Sequence, residues 1–291
     1  MDVGGTFRNA ARGIARAVLR TEDITETIRI RRLALEKRLY RRPISLGDLR
    51  AFLLKLGFAR GRVIWVQSSW NEFYNLPAKP SDVLAVMLDI IGPDGTLVMP
   101  TFPLVSDPSK VLDIDRIPSA TGLLTEIFRR QKGALRSIHL TSAVSALGPH
   151  AEYLVRDHHR DVFSWGPLTP YCRLIELEAR IVGLGVGTAV TNSTPLHAVE
   201  CLLYKEVPFF QSAFGDMVTY RWRRRSGEEG EHTFRSRVRG TKLRQFARAF
   251  PREMYVLHRM SNLDGFGGEA SAMHEHAMML ARKGITIYGK A

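Results

Sequence analysis

From Arg62 to Tyr204 short runs of β-branched and aromatic residues alternate with segments of helical spacing, and no other feature limits the fold of this chain as strongly. Arg62 to Val66 reads as a strand. Pro80-Ser81-Asp82 opens a helix predicted to reach Ile91, and Gly92-Pro93-Asp94-Gly95 turns the chain into a second strand, Thr96 to Met99. Helices are predicted at Thr121 to Gln131, His150 to Asp157, Tyr171 to Ala179 and Thr194 to Tyr204, with a strand at Arg180 to Val186. Strands joined through helices must cross over, so the expected class is α/β. A single domain carries a mostly parallel, helix-covered sheet with ligands at the carboxyl ends of its strands. Ser45 followed by Asp48 gives a helix start that opens this domain. Residues 1–42 are then a helical N-terminal arm and 43–291 the main domain. From about 207 to 291 the texture changes to a C-terminal hairpin region, with Met217 to Arg225 and Glu231 to Arg239 flanking Ser226-Gly227-Glu228-Glu229-Gly230. Helices at Lys242 to Phe250 and Ala270 to Lys283 close the chain.

Hydrophobic residues make up 45% of the 291, enough to bury a core, which excludes disorder as the main state. Two cysteines, Cys172 and Cys201, allow one disulfide at most, so a stapled secreted scaffold is excluded and a cytoplasmic, reducing setting is expected. No apolar run is long enough to span a bilayer. The net charge of +13 is concentrated: residues 1–50 hold 12 Lys and Arg against 6 Asp and Glu, residues 221–259 hold 12 against 4, and the rest is balanced at 18 against 19. No zinc finger, aromatic RNA-binding strand or zipper accompanies that charge, so nucleic acid is not the expected partner. Arg8, Arg12, Arg16 and Arg20 recur every fourth residue beside Ala10, Ile14, Val18 and Leu19. Such an arm suits an anionic membrane surface, peripheral to its inner face, or a second copy of the chain.

Three segments offer chemistry. Asn192 to Glu200 follows a strand and its Gly-rich exit, and there His197 and Glu200 stand three apart on one helical face, where a carboxylate can fix an imidazole tautomer. Arg136-Ser137-Ile138-His139 is a polar cluster before an apolar stretch. Val66-Gln67-Ser68-Ser69 ends the first strand with small hydroxylated residues that leave backbone N–H groups open to an anion or a carbonyl. His274 and His276, two residues apart on a helix, face different ways, and no metal is expected.

Six blocks in order resemble the aminoglycoside 3-N-acetyltransferase family. They are Val66-Gln67-Ser68-Ser69, Gly92 to Phe102, Pro118 to Glu126 with Arg129, Arg136-Ser137-Ile138-His139, Trp165 to Pro170, and Leu184 to Gly187 leading to Thr194 through Glu200. The resemblance implies transfer of an acetyl group from acetyl-coenzyme A to an amine without a covalent enzyme intermediate. It assigns His197, oriented by Glu200, as general base, with His139 as a second catalytic residue of the same pocket. Ser68, Ser69, Pro100, Thr101 and Phe102 are the residues expected on the coenzyme A side, and Asp115, Arg136 and Thr194 on the substrate side. Two departures stand out: Gln67 and Ser142 occupy positions where the family often has His.

Because the charge excess has the sign of an aminoglycoside, the acceptor expected from charge is an amino sugar of polysaccharide or natural-product biosynthesis, carried on a phosphate that Arg221 to Arg225 and Arg235 to Arg239 would attract. The alternatives are an aminoglycoside 3-N-acetyltransferase that confers antibiotic resistance, and a non-catalytic binding protein on the same fold.

Overall fold

The computed structural model describes residues 34–35, 37–40, 43–190, 193–241 and 246–290. The arginine stripe from Arg8 to Arg20, Asn192, and the first four residues of the helix expected from Lys242 lie outside the described residues. Ile44–Ala291 forms one compact unit.

That unit opens with the helix Leu46–Lys55. Ser45 caps it: the serine hydroxyl accepts from the Asp48 N–H and the Asp48 carboxylate accepts from the Ser45 N–H, so two groups that a helix start leaves bare are satisfied. β1 (Val63–Ser68) follows, then the helix Pro80–Ile91, β2 (Thr96–Pro100), β3 (Leu112–Asp113), the helix Leu123–Phe128, β4 (Leu135–Arg136) and β5 (Val144–Leu147). The helices Ala151–Val155 and Pro170–Glu176 lead to β6 (Arg180–Leu184). A 3-10 turn, Thr194–His197, then runs into the helix Ala198–Leu202. β7 (Phe214–Arg223), β8 (Glu229–Arg237), β9 (Tyr255–Met260), β10 (Leu263–Glu269) and the helix Ala270–Arg282 complete the main elements.

Seven strands form one sheet in the order β4-β5-β2-β1-β6-β10-β9. Only its centre is parallel, β1 pairing with β2 on one side and β6 on the other; every outer pairing is antiparallel. The mostly parallel sheet expected from the sequence is therefore a parallel centre with antiparallel flanks. The central strands are apolar on both faces, as burial under helices on both sides demands. Trp65, Val98 and Ile181 pack on one side with Tyr171, Phe266 and Met273. Ile64, Val66, Leu97 and Val182 pack on the other with Phe52, Leu53 and Met87. Gly183 lies at the crossing of β6 and β10, where a Cβ would sit 2.2 Å from the Phe266 ring.

The expected hairpin is present as β7 and β8, two residues earlier than predicted at the end of each strand, and joins β3 in a second, three-stranded sheet. Tyr220, Trp222 and Phe234 turn inward from it onto Leu112, Ile114, Ile138 and Leu140. Its first basic run is partly neutralised. Arg221 stands opposite Glu231 and Arg223 opposite Glu229, while Arg223 also pairs with Asp113, and Arg224 with Asp115 and Glu228. Among the described residues no helix is long and apolar enough to cross a membrane.

Candidate active site

Past the end of β6 the chain reaches the Thr194–His197 turn, and a side chain of β1 holds that turn in place. The carbonyl of the Gln67 side chain accepts from the indole N–H of Trp65, 3.1 Å, and from the backbone N–H of Thr194, also 3.1 Å. Gln67, a departure from the family pattern, thus ties the carboxyl end of β1 to the turn that carries His197. Thr194 contributes this backbone contact.

His197 Nδ1 lies 2.7 Å from Glu200 Oε1. Glu200 is 1% exposed, and its second oxygen accepts from the hydroxyl of Tyr288, so the carboxylate is held at both oxygens. A carboxylate only accepts, which puts the proton on Nδ1 and leaves the lone pair on Nε2. The imidazole packs on Trp165 with ring centres 4.8 Å apart. Arg237, the last residue of β8, lays its guanidinium over the same indole at 5.2 Å and brings Nη1 to 3.0 Å from Nδ1 and 3.3 Å from Nε2 of His197.

Trp165 owes its position to a buried carboxylate. Asp161 accepts from the N–H groups of Phe163 and Leu168, both 2.8 Å, and burial raises its pKa against the effect of those donors. Gly166 lets the loop close on it, since a Cβ there would stand 2.2 Å from Asp161 Oδ1.

Trp165 and Arg237 form part of the wall of a cleft of about 660 Å³, with Phe102, Leu140, Val218 and Phe234 as its larger apolar members and Thr141, Ser164 and Ser236 as its hydroxyls. That volume lies within the range of small-molecule sites. Among the described residues that line it, Arg237 is the sole ionisable one.

The other expected site residues fall elsewhere. His139 is fully buried beside the cleft rather than on its wall: Nδ1 accepts from the N–H groups of Thr141 and Ser142, both 3.2 Å, and the ring stacks on His158 at 4.6 Å. Burial, with His158 and His232 as neighbours, holds its pKa well below the usual value. With its lone pair committed to two backbone donors, His139 has no basic nitrogen to offer a substrate, so the pocket-lining role expected of it does not fit this geometry. Ser142 is buried in the same cluster and donates to the carbonyl of Ser164, 3.3 Å.

Arg136 is likewise interior. Its guanidinium donates to the carbonyls of Thr101, Ile114 and Ile117, and burial, then the charge of Arg129, lowers its pKa to about 9. Asp115, expected on the substrate side, is taken, as are the nearby acids Asp113 and Glu126. Asp113 and Asp115 pair with the hairpin arginines, and Asp115 also accepts from the Arg225 N–H, while Glu126 holds Arg129, Arg130 and the Ser119 N–H.

On the expected coenzyme A side, the Ser69 N–H is not open to an anion, since it donates to the Leu184 carbonyl at 3.0 Å. Pro100 gives its carbonyl to the Thr121 hydroxyl, and the Thr101 hydroxyl pairs with Ser145 at 2.9 Å. Phe102 reaches the cleft, and the buried Ser68 hydroxyl has no partner. Both cysteines are buried free thiols, pushed up by burial, Cys172 to about 12. Among the described residues no group of three His, Cys, Asp or Glu converges as a metal site would require.

Sequence reasoning found His197 and Glu200 but missed Arg237, Trp165, Tyr288 and Gln67 as parts of one site. Trp165 and Gln67 lay inside the quoted blocks and Arg237 inside a charge run, whereas Tyr288 carried no signal.

The family model described as aminoglycoside 3-N-acetyltransferase matches residues 65–263. The chain is similar to aminoglycoside N(3)-acetyltransferase IV of Salmonella sp, 31% identical over 163 residues that cover 56% of this chain and 60% of that protein. It is also similar to aminoglycoside N(3)-acetyltransferase IX of Micromonospora chalcea, 27% identical over 179 residues, 55% of this chain and 63% of that protein. These matches span about three-fifths of the length of the curated relatives. Among solved structures, aminoglycoside acetyltransferase AAC(3)-Xa superposes with a TM-score of 0.71 at 22% identity, covering 87% of this chain and 98% of its own. AAC-IIIb, solved as a binary complex with CoASH, gives 0.70 at 21% identity, over 82% of this chain and 97% of its own. At such identities the likeness is one of fold.

Proposed function

The chain belongs to the aminoglycoside 3-N-acetyltransferase family, and from that premise we propose that it transfers the acetyl group of acetyl-coenzyme A to an amine of an aminoglycoside, an activity that would lower susceptibility to the antibiotic. The observation that carries this proposal is the pair His197 and Glu200, 2.7 Å apart, with the imidazole packed against the Trp165 and Arg237 side of the cleft. Nε2 of His197 takes the proton that the amine must lose. The amine nitrogen forms its bond to the thioester carbonyl carbon, the carbon–sulfur bond breaks, and the thiolate leaves as the thiol with a proton returned from His197. Glu200, buried and held by Tyr288, keeps Nδ1 protonated and balances the imidazolium formed midway. On the donor side, Phe102 is assigned to the pantetheine arm and the Ser68 hydroxyl to the thioester.

The names of the relatives favour aminoglycosides over the phosphate-linked amino sugar expected from charge. The acids opposite Arg221 and Arg223 and the pairing of Arg223 and Arg224 with Asp113 and Asp115 remove part of the attraction on which that expectation rested. One observation keeps it as the second reading: the cleft wall carries an arginine and no carboxylate among its described residues. A thiol-release assay with acetyl-coenzyme A against kanamycin, gentamicin, glucosamine 6-phosphate and a nucleotide-linked amino sugar separates them. Release with an aminoglycoside, accompanied by a mass gain of one acetyl group, supports the first reading. Release with the phosphorylated sugars alone supports the second, and release with none removes both and leaves a binding protein on this fold.

A further inference from the structure

We propose that the positive charge of Arg237 disfavours the protonated form of the acceptor amine beside His197, so that the ammonium gives up its proton to Nε2 and reacts as the free amine. The inference rests on the acyl-transfer reading above. The Nη1 atom of Arg237 stands 3.0 and 3.3 Å from the two ring nitrogens of His197 and 3.8 Å from Glu200 Oε1, with the guanidinium stacked on Trp165. The side chain is 28% exposed and contributes to the cleft wall.

Charges around this point are arranged asymmetrically. Glu200 lies on the Nδ1 side of the imidazole, 1% exposed, with its oxygens on His197 and Tyr288. Cys201, beside it, is a buried thiol pushed well up by burial and then by the charge of Glu200, and so is neutral. Arg235 and Arg239, at alternate positions around Arg237, donate to the carbonyls of Gly215 and Ser212. An ammonium brought to Nε2 therefore meets a guanidinium at contact distance, while the nearest carboxylate is across the ring. Like charges at that range in a partly dry site favour the neutral amine, as a neighbouring cation does for a lysine nucleophile.

The step balances. R–NH3+ loses one proton through Nε2 to solvent, its freed electron pair forms the bond to the acetyl carbon, the carbon–sulfur bond breaks, and the second proton lost by the nitrogen passes through Nε2 to the departing thiolate, giving the amide and coenzyme A thiol. The same repulsion works against binding of an acceptor with several charges, so Arg237 raises both kcat and KM for such an acceptor.

Two measurements on the full chain test this. Calorimetric titration with kanamycin at pH 7, in two buffers of different ionisation enthalpy, counts the protons released on binding. The expected result is a larger count for the wild type than for Arg237→Gln, with Arg237→Lys close to wild type. With acetyl-coenzyme A present, the acid limb of kcat in Arg237→Gln is expected to move up by roughly one pH unit, while KM for kanamycin falls more than KM for glucosamine. Equal proton release by wild type and Arg237→Gln, both melting normally, overturns the proposal, as does an unmoved acid limb with kcat and KM worsening together. A wild type that binds kanamycin without releasing thiol defeats the acyl-transfer reading, and the proton count still decides the role of Arg237. If the wild type binds no amine at all, both fail.

Discussion

Nδ1 of His197 and Oε1 of Glu200 lie 2.7 Å apart within a single helical turn, and the other oxygen of Glu200 is taken by the hydroxyl of Tyr288 from the far end of the chain. The carboxylate is thus fixed from two directions, which defines one tautomer of His197 and one direction for its lone pair. Replacing His197 by Ala is expected to lower kcat by about two to four orders of magnitude. Glu200→Gln should cost less, because an amide oxygen can still accept from Nδ1 while losing the charge that balances the imidazolium. Steady-state rates on protein with a normal thermal melt check both, and a His197→Ala enzyme within a few-fold of wild type would remove His197 from the chemistry.

Gln67→Leu should loosen the site without changing the His197–Glu200 pair itself. The substitution leaves the indole N–H of Trp65 and the backbone N–H of Thr194 without the oxygen that now receives both. Each buried unsatisfied donor costs about 1–3 kcal/mol. The expected outcome is a lowered denaturant midpoint together with a fall in kcat as the His197 turn moves. Full activity with full stability would show that the turn stands without Gln67.

Arg136 discriminates between a substrate contact and an interior support. Arg136→Met removes a donor group shared by the carbonyls of Thr101, Ile114 and Ile117 and should lower stability by about 2–5 kcal/mol. The fraction that remains folded is expected to keep its KM for the acceptor. A selective rise in KM at unchanged stability, read by urea titration beside kinetics, would return Arg136 to the substrate side.

Acid should unfold the protein through its interior imidazoles. His158 accepts from the Ser137 hydroxyl and donates to the Ser164 carbonyl, and burial lowers its pKa to about 3. His274, buried, is lowered to about 4, and His139 and His232 are lowered as well, first by burial. In the unfolded chain each titrates near 6.5, so between that value and the folded one the unfolded state binds more protons. The stability these groups contribute is complete above about pH 6.5 and lost as pH falls towards 3, by up to ~1.4 kcal/mol per pH unit for each histidine. Urea midpoints at pH 7.5, 6, 5 and 4 test the slope; His158→Gln should flatten it, and a midpoint independent of pH would contradict the arrangement.

The chain by itself settled what depends on neighbours in sequence. The Ser45 cap with Asp48, the strand-helix-strand unit from Val63 to Pro100, and the pairing of His197 with Glu200 are all local, set by three- and four-residue spacing and turn chemistry. The blocks extended this to the family. What the chain left open was decided by tertiary structure. β10, where no element is expected from the sequence, contains Gly265, Gly267 and Gly268, poor strand formers by propensity, yet it is a strand in which those glycines admit the Phe52 ring, the Leu56 carbonyl and the Met273 sulfur at distances no Cβ would allow. His139 looked like a second base until the loop behind it closed two backbone donors on its free nitrogen. Arg237 and Trp165 reach His197, Tyr288 reaches Glu200 and Gln67 reaches the Thr194 backbone from four separate segments, and strand register sets Glu231 and Glu229 opposite Arg221 and Arg223. Contacts between residues so far apart in the chain leave no local pattern, so the tertiary fold alone decides which side chains surround the pair His197 and Glu200 and what charge they bring to it.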